Sequence, residues 1–293
     1  MIDILTNKSR TLRIQVSRMG AELVSLARKN AAGEWVGFLF RDGDLSKNPN
    51  GWNNHSTVMG YYVHRILNEV SSYRGMPVKG STHSFLRHKI FAAPELGEGS
   101  LTHHWSFNDI AAEEYPFRVD FAITYALTDT ELKVTFRFEN RDDFETHVSF
   151  GLHPGFAVSD LTSMRIMLPP GRYKRHLAPG NFLSGETETI DFPGGLMPFP
   201  VAELPGSFLL DLADVPQRIF VVEDPVSGRK TTLDYSQAPY LTLWSDGEAF
   251  ICVEPCWGLP DHHEQRPFEE KLGIQTIAAH GVLERSFTVQ PDC

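Results

Sequence analysis

Cysteine is scarce in this chain, and long apolar runs are missing from it. Three cysteines, an odd number, occur among 293 residues, which does not fit a disulfide framework. No apolar stretch approaches the length of a membrane span, and no positively charged leader precedes an apolar segment at the start. These absences predict a protein of a reducing compartment, with a cytoplasmic location and no membrane partner.

Basic runs are also missing, and so are the common nucleotide and hydrolase motifs. The chain has 37 acidic against 27 basic residues, a net charge of −10, with no cluster of lysine and arginine. Nucleic acids and anionic membranes bind basic surfaces, so neither is expected as a partner. No glycine-rich phosphate loop and no serine-nucleophile elbow occurs. The 20 phenylalanines, 8 tyrosines and 5 tryptophans instead offer apolar faces on which a sugar can stack.

Helical periodicity is scarce, whereas alternation of apolar and polar residues is frequent. The segments 117–125 and 132–139 alternate throughout, with a polar turn over 127–131 between them, and so predict a hairpin. About a dozen such segments predict an all-β fold, a large antiparallel β-sandwich with few short helices. The Pro- and Gly-rich stretch 177–205 is interpreted as a surface excursion within a single domain, 1–293, because alternating segments resume after it.

Two segments interrupted by glycine and proline carry the residues with the clearest chemistry. Glu254 ends the apolar run 250–254 and is followed by proline and, shortly after, by glycine. A carboxylate at a strand end beside aromatic residues can be partly desolvated, which raises its pKa towards the range useful for proton transfer. His153 lies about a hundred residues earlier, in a segment that is also rich in glycine and proline. A glutamate base and a histidine acid are the groups that opening of a sugar ring requires, and we expect them on opposite sides of one cleft.

Weaker candidates surround these two residues. Arg65 and Asn68 stand three apart, and His83 precedes an arginine, Arg87, by four positions. An arginine offers fixed donors for sugar hydroxyls or a phosphate. Taken singly, each of these residues is more often a surface or turn residue than a functional one. Other candidates for contact with a sugar are Asp211, Asp261, Trp244 and Trp257, although core packing is the commoner role for either tryptophan.

Five short segments, taken in order, resemble the aldose 1-epimerase (galactose mutarotase) family, and most of all its shorter, LacX-like members. The resemblance implies a β-supersandwich with the sugar in an open cleft. It implies that His153 is the general acid, Glu254 the general base and His83 a second active-site histidine. It also implies sugar binding by Arg65, for which Asn68, Asp211 and Trp257 are added candidates. No cofactor and no metal is expected. The segments are Gly20–Leu26, Arg65-x-x-Asn68, His83-x-Phe85-x-Arg87, Gly151-x-His153-Pro154-x-Phe156 and Glu254-Pro255-x-x-Gly258-x-x-Asp261.

Two departures from the family pattern and three alternatives remain at this point. Ser84 replaces a common glycine, and Cys256-Trp257 changes the aromatic placement after Glu254-Pro255, so the sugar and its phosphorylation stay open. The oligomeric state is open as well. A non-catalytic carbohydrate-binding or regulatory sandwich is the main alternative. A glycoside hydrolase would need a second carboxylate, for which Asp261 is the candidate. A metal site from Cys252, Cys256 and the histidines at 262–263 matches no common zinc spacing.

Overall fold

The computed structural model describes residues 1–197 and 201–293. It confirms the predicted all-β fold: the chain forms antiparallel sheets, joined by turns and a few single helical turns. Within the described ranges no helix is long and apolar enough to cross a membrane. The described helices are all 3₁₀ turns of three residues: Leu67–Glu69, Leu86–His88, Phe107–Asp109, Pro179–Asn181, Val201–Glu203 and Phe268–Glu270.

The strands follow one another along the whole chain, and their bounds are as follows. They are β1 (Ile2–Thr6), β2 (Leu12–Ser17), β3 (Glu22–Lys29), β4 (Trp35–Gly37), β5 (Ser56–Met59), β6 (Val70–Tyr73), β7 (Met76–Lys79), β8 (Glu95–Gly97), β9 (Ser100–Trp105), β10 (Val119–Leu127), β11 (Leu132–Asn140), β12 (Thr146–Val148), β13 (Phe150–Ala157), β14 (Arg165–Met167), β15 (Gly171–His176), β16 (Thr187–Phe192), β17 (Leu196–Met197), β18 (Phe208–Asp211), β19 (Ile219–Asp224), β20 (Arg229–Asp234), β21 (Tyr240–Trp244), β22 (Phe250–Trp257), β23 (Gln275–Ile277) and β24 (Val282–Asp292).

Two large sheets form the sandwich. The nine-stranded sheet has the order β17-β14-β19-β20-β24-β11-β10-β9-β8, and the seven-stranded sheet has the order β16-β15-β18-β21-β22-β13-β5. A four-stranded sheet, β1 to β4, and two strand pairs, β12 with β23 and β6 with β7, complete the fold. The predicted hairpin is confirmed as β10 and β11, whose register ends at the pair Leu127 and Leu132.

Alternation along the central strands fills the space between the two large sheets. On β11, the side chains of Val134, Phe136 and Phe138 are fully buried, and they belong to one hydrophobic cluster that draws residues from Leu12 to Val289. The ring of Phe136 lies 5.2 Å from that of Phe150 on the facing sheet. The central strands β13 and β22 of the seven-stranded sheet therefore turn every second residue into this core and leave the others for the opposite face.

Trp257 belongs to the core and not to a ligand surface. Its side chain has no exposed area, its ring stacks on Phe150 with centroids 5.0 Å apart, and its indole N–H donates to the carbonyl of Gln237. The substrate contact predicted for Trp257 is therefore not available to it.

We expect Trp257→Ala to lower the free energy of unfolding by about 3–5 kcal/mol, because it deletes a large side chain from packed surroundings. Urea unfolding measures this loss. Trp244→Ala is the matched control, since Trp244 is half-buried and its removal empties less of the interior. A loss for Trp257→Ala no larger than that of the control would contradict the assignment to the core.

The stretch 177–205 contains more regular structure than its composition suggests. It includes β16, which pairs with β15 over the whole length of both strands, and β17, which pairs with β14. β16 lies at the edge of its sheet, and its residues are exposed apart from Ile190 and Phe192. A strand without a continuous buried face leaves no alternation in the sequence, which is why the pattern missed it. The residues 198–200 of this stretch lie outside the described ranges.

Candidate active site

Two central strands of the seven-stranded sheet carry the predicted acid and base. β13 and β22 are antiparallel neighbours, and their register pairs Gly151 with Cys256 and Gly155 with Cys252. His153 and Glu254 are therefore directly opposite each other, and opposed residues point to the same face of a sheet. The distance from His153 Nε2 to Glu254 Oε1 is 3.3 Å. The two groups stand side by side, so the expectation of opposite sides of a cleft is wrong in this respect.

A cavity of about 250 Å³ opens over this pair. The ionisable residues that line it are Glu254, His153, His83, His64, Arg65 and Arg87. Glu254 is the one carboxylate among the described lining residues, so the walls carry an excess of basic groups in an acidic protein. Four of the predicted residues, His153, Glu254, His83 and Arg65, thus meet in one place.

Aromatic rings surround His153. The ring of Trp52 lies 5.1 Å from the imidazole and that of Trp244 lies 5.6 Å away, and both tryptophans line the cavity. The approach of Trp52 depends on Gly155, because a Cβ at this position would lie 2.5 Å from the indole. A glycine on β13 therefore lets the indole lie against the strand, next to the histidine.

Burial displaces both members of the pair towards their neutral forms. Desolvation raises the pKa of Glu254 well above its usual value, and desolvation, followed by the charge of Arg87, lowers the pKa of His153 to about 3. Together the two groups carry one proton, whether it lies on the carboxyl or on the imidazole. His153 Nδ1 and Glu254 Oε2 are buried and have no hydrogen-bond partner among the described residues. The described residues of the protein therefore leave the hydrogen-bonding capacity of these two atoms unsatisfied.

His83 is held in one tautomer. Its Nδ1 accepts a hydrogen bond of 3.1 Å from the backbone N–H of His64, and burial lowers the pKa of His83 well below its usual value. A neutral imidazole that accepts at Nδ1 carries its proton at Nε2. The ring is 5.5 Å from that of His153 and perpendicular to it. His83 therefore supplies an N–H donor to the cavity, beside the acid–base pair.

Among the lining residues that sequence reasoning did not single out are His64 and Trp52. His64 immediately precedes Arg65 in the sequence. Its Nε2 lies 3.4 Å from Thr242 Oγ1, and burial lowers its pKa to about 3. Trp52 lies in a stretch without periodicity, between β4 and β5. For His64, its position next to Arg65 was the available signal. Nothing in the sequence pattern pointed to Trp52.

The loop of Arg65 is anchored by Asp261. The backbone N–H of Asp261 donates to the carbonyl of Arg65 over 3.0 Å, and Asp261 Oδ2 accepts from the N–H of Leu67 over 2.9 Å. The other carboxylate oxygen pairs with the buried ammonium of Lys271. Asp261 therefore holds the Arg65 loop in place and is not among the residues that line the cavity.

The structure does not bring Asn68 or Asp211 to the cavity. Asn68 borders a smaller neighbouring hollow that it shares with Arg65. Asp211 on β18 pairs with Lys174 at 2.7 Å and with His176 at 3.5 Å on the adjacent strand, β15. With Trp257 in the core, three of the four predicted sugar-binding residues lie elsewhere.

The family model described as "Aldose 1-epimerase" matches residues 3–262. This chain belongs to the aldose 1-epimerase family. No curated protein sequence matches the chain significantly. The fit of the family model to most of the chain confirms the resemblance carried by the five short segments.

Solved structures of galactose mutarotase-like proteins have the same fold. A galactose mutarotase related enzyme from Lactobacillus acidophilus superposes with a TM-score of 0.88 at 20% identity, over 100% of this chain and 98% of that one. A galactose mutarotase-like protein from Lactobacillus casei gives 0.87 at 25% identity, over the full length of both chains. A galactose 1-epimerase from Lactobacillus acidophilus gives 0.71 at 11% identity, over 99% of this chain and 93% of that one. The aldose 1-epimerase fold thus spans the whole chain.

Proposed function

We propose that this protein is a mutarotase, which interconverts the α and β anomers of an aldose, free or phosphorylated, by opening and closing the sugar ring. The observation that carries the proposal is the pair His153 and Glu254, 3.3 Å apart at one cavity, each with a polar atom that has no hydrogen-bond partner among the described residues. Membership of the aldose 1-epimerase family supports it. The chemistry needs no metal and no organic cofactor.

Ring opening requires two proton transfers at neighbouring oxygens. Glu254, as carboxylate, takes the proton of the anomeric hydroxyl, and His153, as imidazolium, gives a proton to the ring oxygen. The anomeric and ring oxygens are bonded to the same carbon, so two groups that stand side by side can reach both. The free aldehyde then rotates about the C1–C2 bond, and closure on its other face gives the other anomer. During closure Glu254 returns its proton and His153 takes one back, so both groups regain the states in which the reaction began.

The proton count of the pair is the same before and after ring opening. Opening moves one proton from the imidazole, through the sugar, to the carboxyl, which converts the ion pair into the neutral pair. Burial favours the neutral pair, the state that accompanies the open aldehyde. Sugar hydroxyls that donate to the unpartnered Oε2 of Glu254 favour the carboxylate, and therefore the state that starts the reaction.

The remaining lining residues bind and orient the sugar. The Nε2–H of His83 donates to oxygen on which charge develops during opening. Trp52 and Trp244 present apolar faces to the C–H side of a sugar ring. The guanidinium groups of Arg65 and Arg87 bind sugar hydroxyls, or a phosphate if the substrate carries one.

The experiment that tests the proposal is polarimetry of freshly dissolved single anomers. A panel of aldoses and hexose phosphates is mixed with the purified protein in the presence of a chelator. We expect at least one sugar to reach its equilibrium rotation at a rate that rises in proportion to protein concentration. Uncatalysed rates for the whole panel would refute the proposal. Sugar binding measured calorimetrically in that case would favour the non-catalytic carbohydrate-binding alternative.

We expect Arg65→Ala to raise KM by about tenfold and to change kcat by less than about threefold. The variant loses a charge-assisted hydrogen bond at the cavity mouth, which weakens binding of the sugar equally in the ground state and in the transition state. Initial rates over a range of sugar concentrations separate the two constants. Asn68→Ala is the matched control: Asn68 lies on the same loop but outside the cavity, and both constants should stay near those of the unmodified protein. A fall in kcat at unchanged KM for Arg65→Ala would contradict the binding role.

A further inference from the structure

Cys252 lies beside the acid–base pair, on the same face of the same strand as Glu254. Residues two apart on a strand point to the same side, and His153 joins them from the neighbouring strand. The Cys252 Sγ, one carboxylate oxygen of Glu254 and one ring nitrogen of His153 all lie within 4.8 Å of one another. All three side chains are buried. Among the described residues, this is the set in which three such groups meet.

These three residues differ from the metal site considered from the sequence, which combined Cys252 with Cys256 and the histidines at 262–263. Cys256 shares the strand with Cys252, but its thiol lies 3.6 Å from Thr242 Oγ1 and outside the cluster. His263 is exposed on a following loop. Cross-strand register, and not spacing along the chain, therefore assembles the cluster.

The cluster contains two polar atoms without a partner and, separately, one pair of possible ligand atoms at a distance suited to a metal. Glu254 Oε2 and His153 Nδ1 are buried without a hydrogen-bond partner among the described residues, an arrangement that is unfavourable for each group. In a tetrahedral zinc site, bonds of about 2.0–2.3 Å place neighbouring ligand atoms roughly 3.3–3.6 Å apart. His153 Nε2 and Glu254 Oε1 are already 3.3 Å apart. Small side-chain movements would close a three-ligand site.

We propose that a zinc-class divalent cation binds to His153, Cys252 and Glu254, with its fourth coordination position open to the sugar cavity. Thiolate, imidazole and carboxylate are the ligands that zinc prefers, and three protein ligands with one open position make a common zinc arrangement. Binding displaces the thiol proton and the proton that the acid–base pair shares. The two negative ligands then balance the charge of the ion, so the buried complex is neutral.

The consequence is that the metal blocks turnover. The ion occupies lone pairs of Glu254 and His153, so neither can exchange a proton with a sugar, and it also fills the floor of the cavity. Sugar and metal therefore exclude each other. This inhibition rests on the proposed mutarotase function, whereas the metal site itself does not.

Cobalt(II) is the probe, because a cobalt–thiolate bond gives a charge-transfer absorption band. All proteins carry Cys293→Ser, which removes the exposed thiol near the end of the chain. We expect this parent protein to develop the band and to saturate at one equivalent of cobalt. Cys252→Ser should abolish the band, and the matched control Cys256→Ser should retain it, since Cys256 is buried on the same strand face but outside the cluster. No band in the parent, a band that survives Cys252→Ser, or a band lost in Cys256→Ser would overturn the proposal.

Two further measurements keep the test independent of the folding of Cys252→Ser. In the Cys293→Ser parent, Glu254→Gln removes one ligand and should weaken cobalt binding, measured by calorimetry, at least tenfold. Loss of a residue that only supports a metal ligand already lowers metal affinity by about tenfold or more. Unchanged affinity would overturn the site. A sugar that the parent turns over should displace cobalt, and cobalt should inhibit its turnover. Cobalt binding without activity on any sugar would refute the mutarotase function and leave the site standing, whereas activity without cobalt binding would do the reverse.

Discussion

Glu254→Gln should slow anomer exchange by about 10²–10⁴-fold, because the amide keeps the shape of the side chain but cannot accept the proton of the anomeric hydroxyl. Sugar affinity should change far less, since the amide retains one oxygen and gains a donor. The free energy of unfolding should stay level or rise, because Glu254 is 1% exposed and its burial disfavours the charged form. Polarimetry and urea unfolding of the same preparation measure both effects.

Glu264→Gln is the matched control for this variant. Glu264 is an exposed carboxylate on the loop that follows the motif from Glu254 to Asp261, and it does not line the cavity. Its turnover should equal that of the unmodified protein. Near-full turnover of a folded Glu254→Gln would show that Glu254 is not the base.

His153→Ala should reduce turnover by a similar factor, about 10²–10⁴-fold, because no other group then protonates the ring oxygen. The space left by the imidazole opens into the cavity, between Trp52 and Trp244. Free imidazole in solution should therefore enter this space and restore part of the rate. A merely structural role of the histidine would not produce such a rescue.

The control for rescue is Glu254→Gln, which retains His153 and should gain nothing from imidazole. The measurement is the rate of anomer exchange at increasing imidazole concentrations, with each rate extrapolated to zero concentration of the background buffer. Turnover of His153→Ala close to that of the unmodified protein would contradict the assignment of the acid.

The motifs of the sequence predicted which residues meet but not how they are arranged. His153, Glu254, His83 and Arg65 line one cavity, as the five ordered segments indicated. That His153 and Glu254 stand directly opposite each other follows from the register of β13 and β22, which is a property of the sheet and is not written in either segment alone. The cluster with Cys252 depends on the same register.

Trp257 shows where strand periodicity could have corrected the prediction. The expectation ended the strand at Glu254, but β22 continues to Trp257. Residues three apart on a strand point to opposite faces, so a glutamate that faces the cavity places this tryptophan in the core. Asp211 fails for another reason: it is the register partner of Lys174 and forms an ion pair with it. Such cross-strand pairs cannot be recognised before the sheet order is known.

His64 and Trp52, which the sequence did not reveal, lie on irregular backbone. His64 has a positive φ angle of 57°, and Trp52 lies in the loop between β4 and β5. Positions of this kind carry no period of two or of 3.6, and their side chains reach the cavity because tertiary contacts place the loops there. Arg65 and His83 also lie outside the strands, and their motifs alone identified them.

The central claim is that Glu254 and His153 exchange anomers by opening the ring, with the bond between the anomeric carbon and its hydroxyl oxygen intact. Exchange NMR of a substrate labelled with oxygen-18 at the anomeric hydroxyl tests this most directly, since the label shifts the anomeric carbon signal. The account predicts cross-peaks between the two anomers that grow with protein concentration while the label is retained through many exchanges. Cross-peaks no stronger than in buffer, or loss of label to water with each exchange, would contradict it.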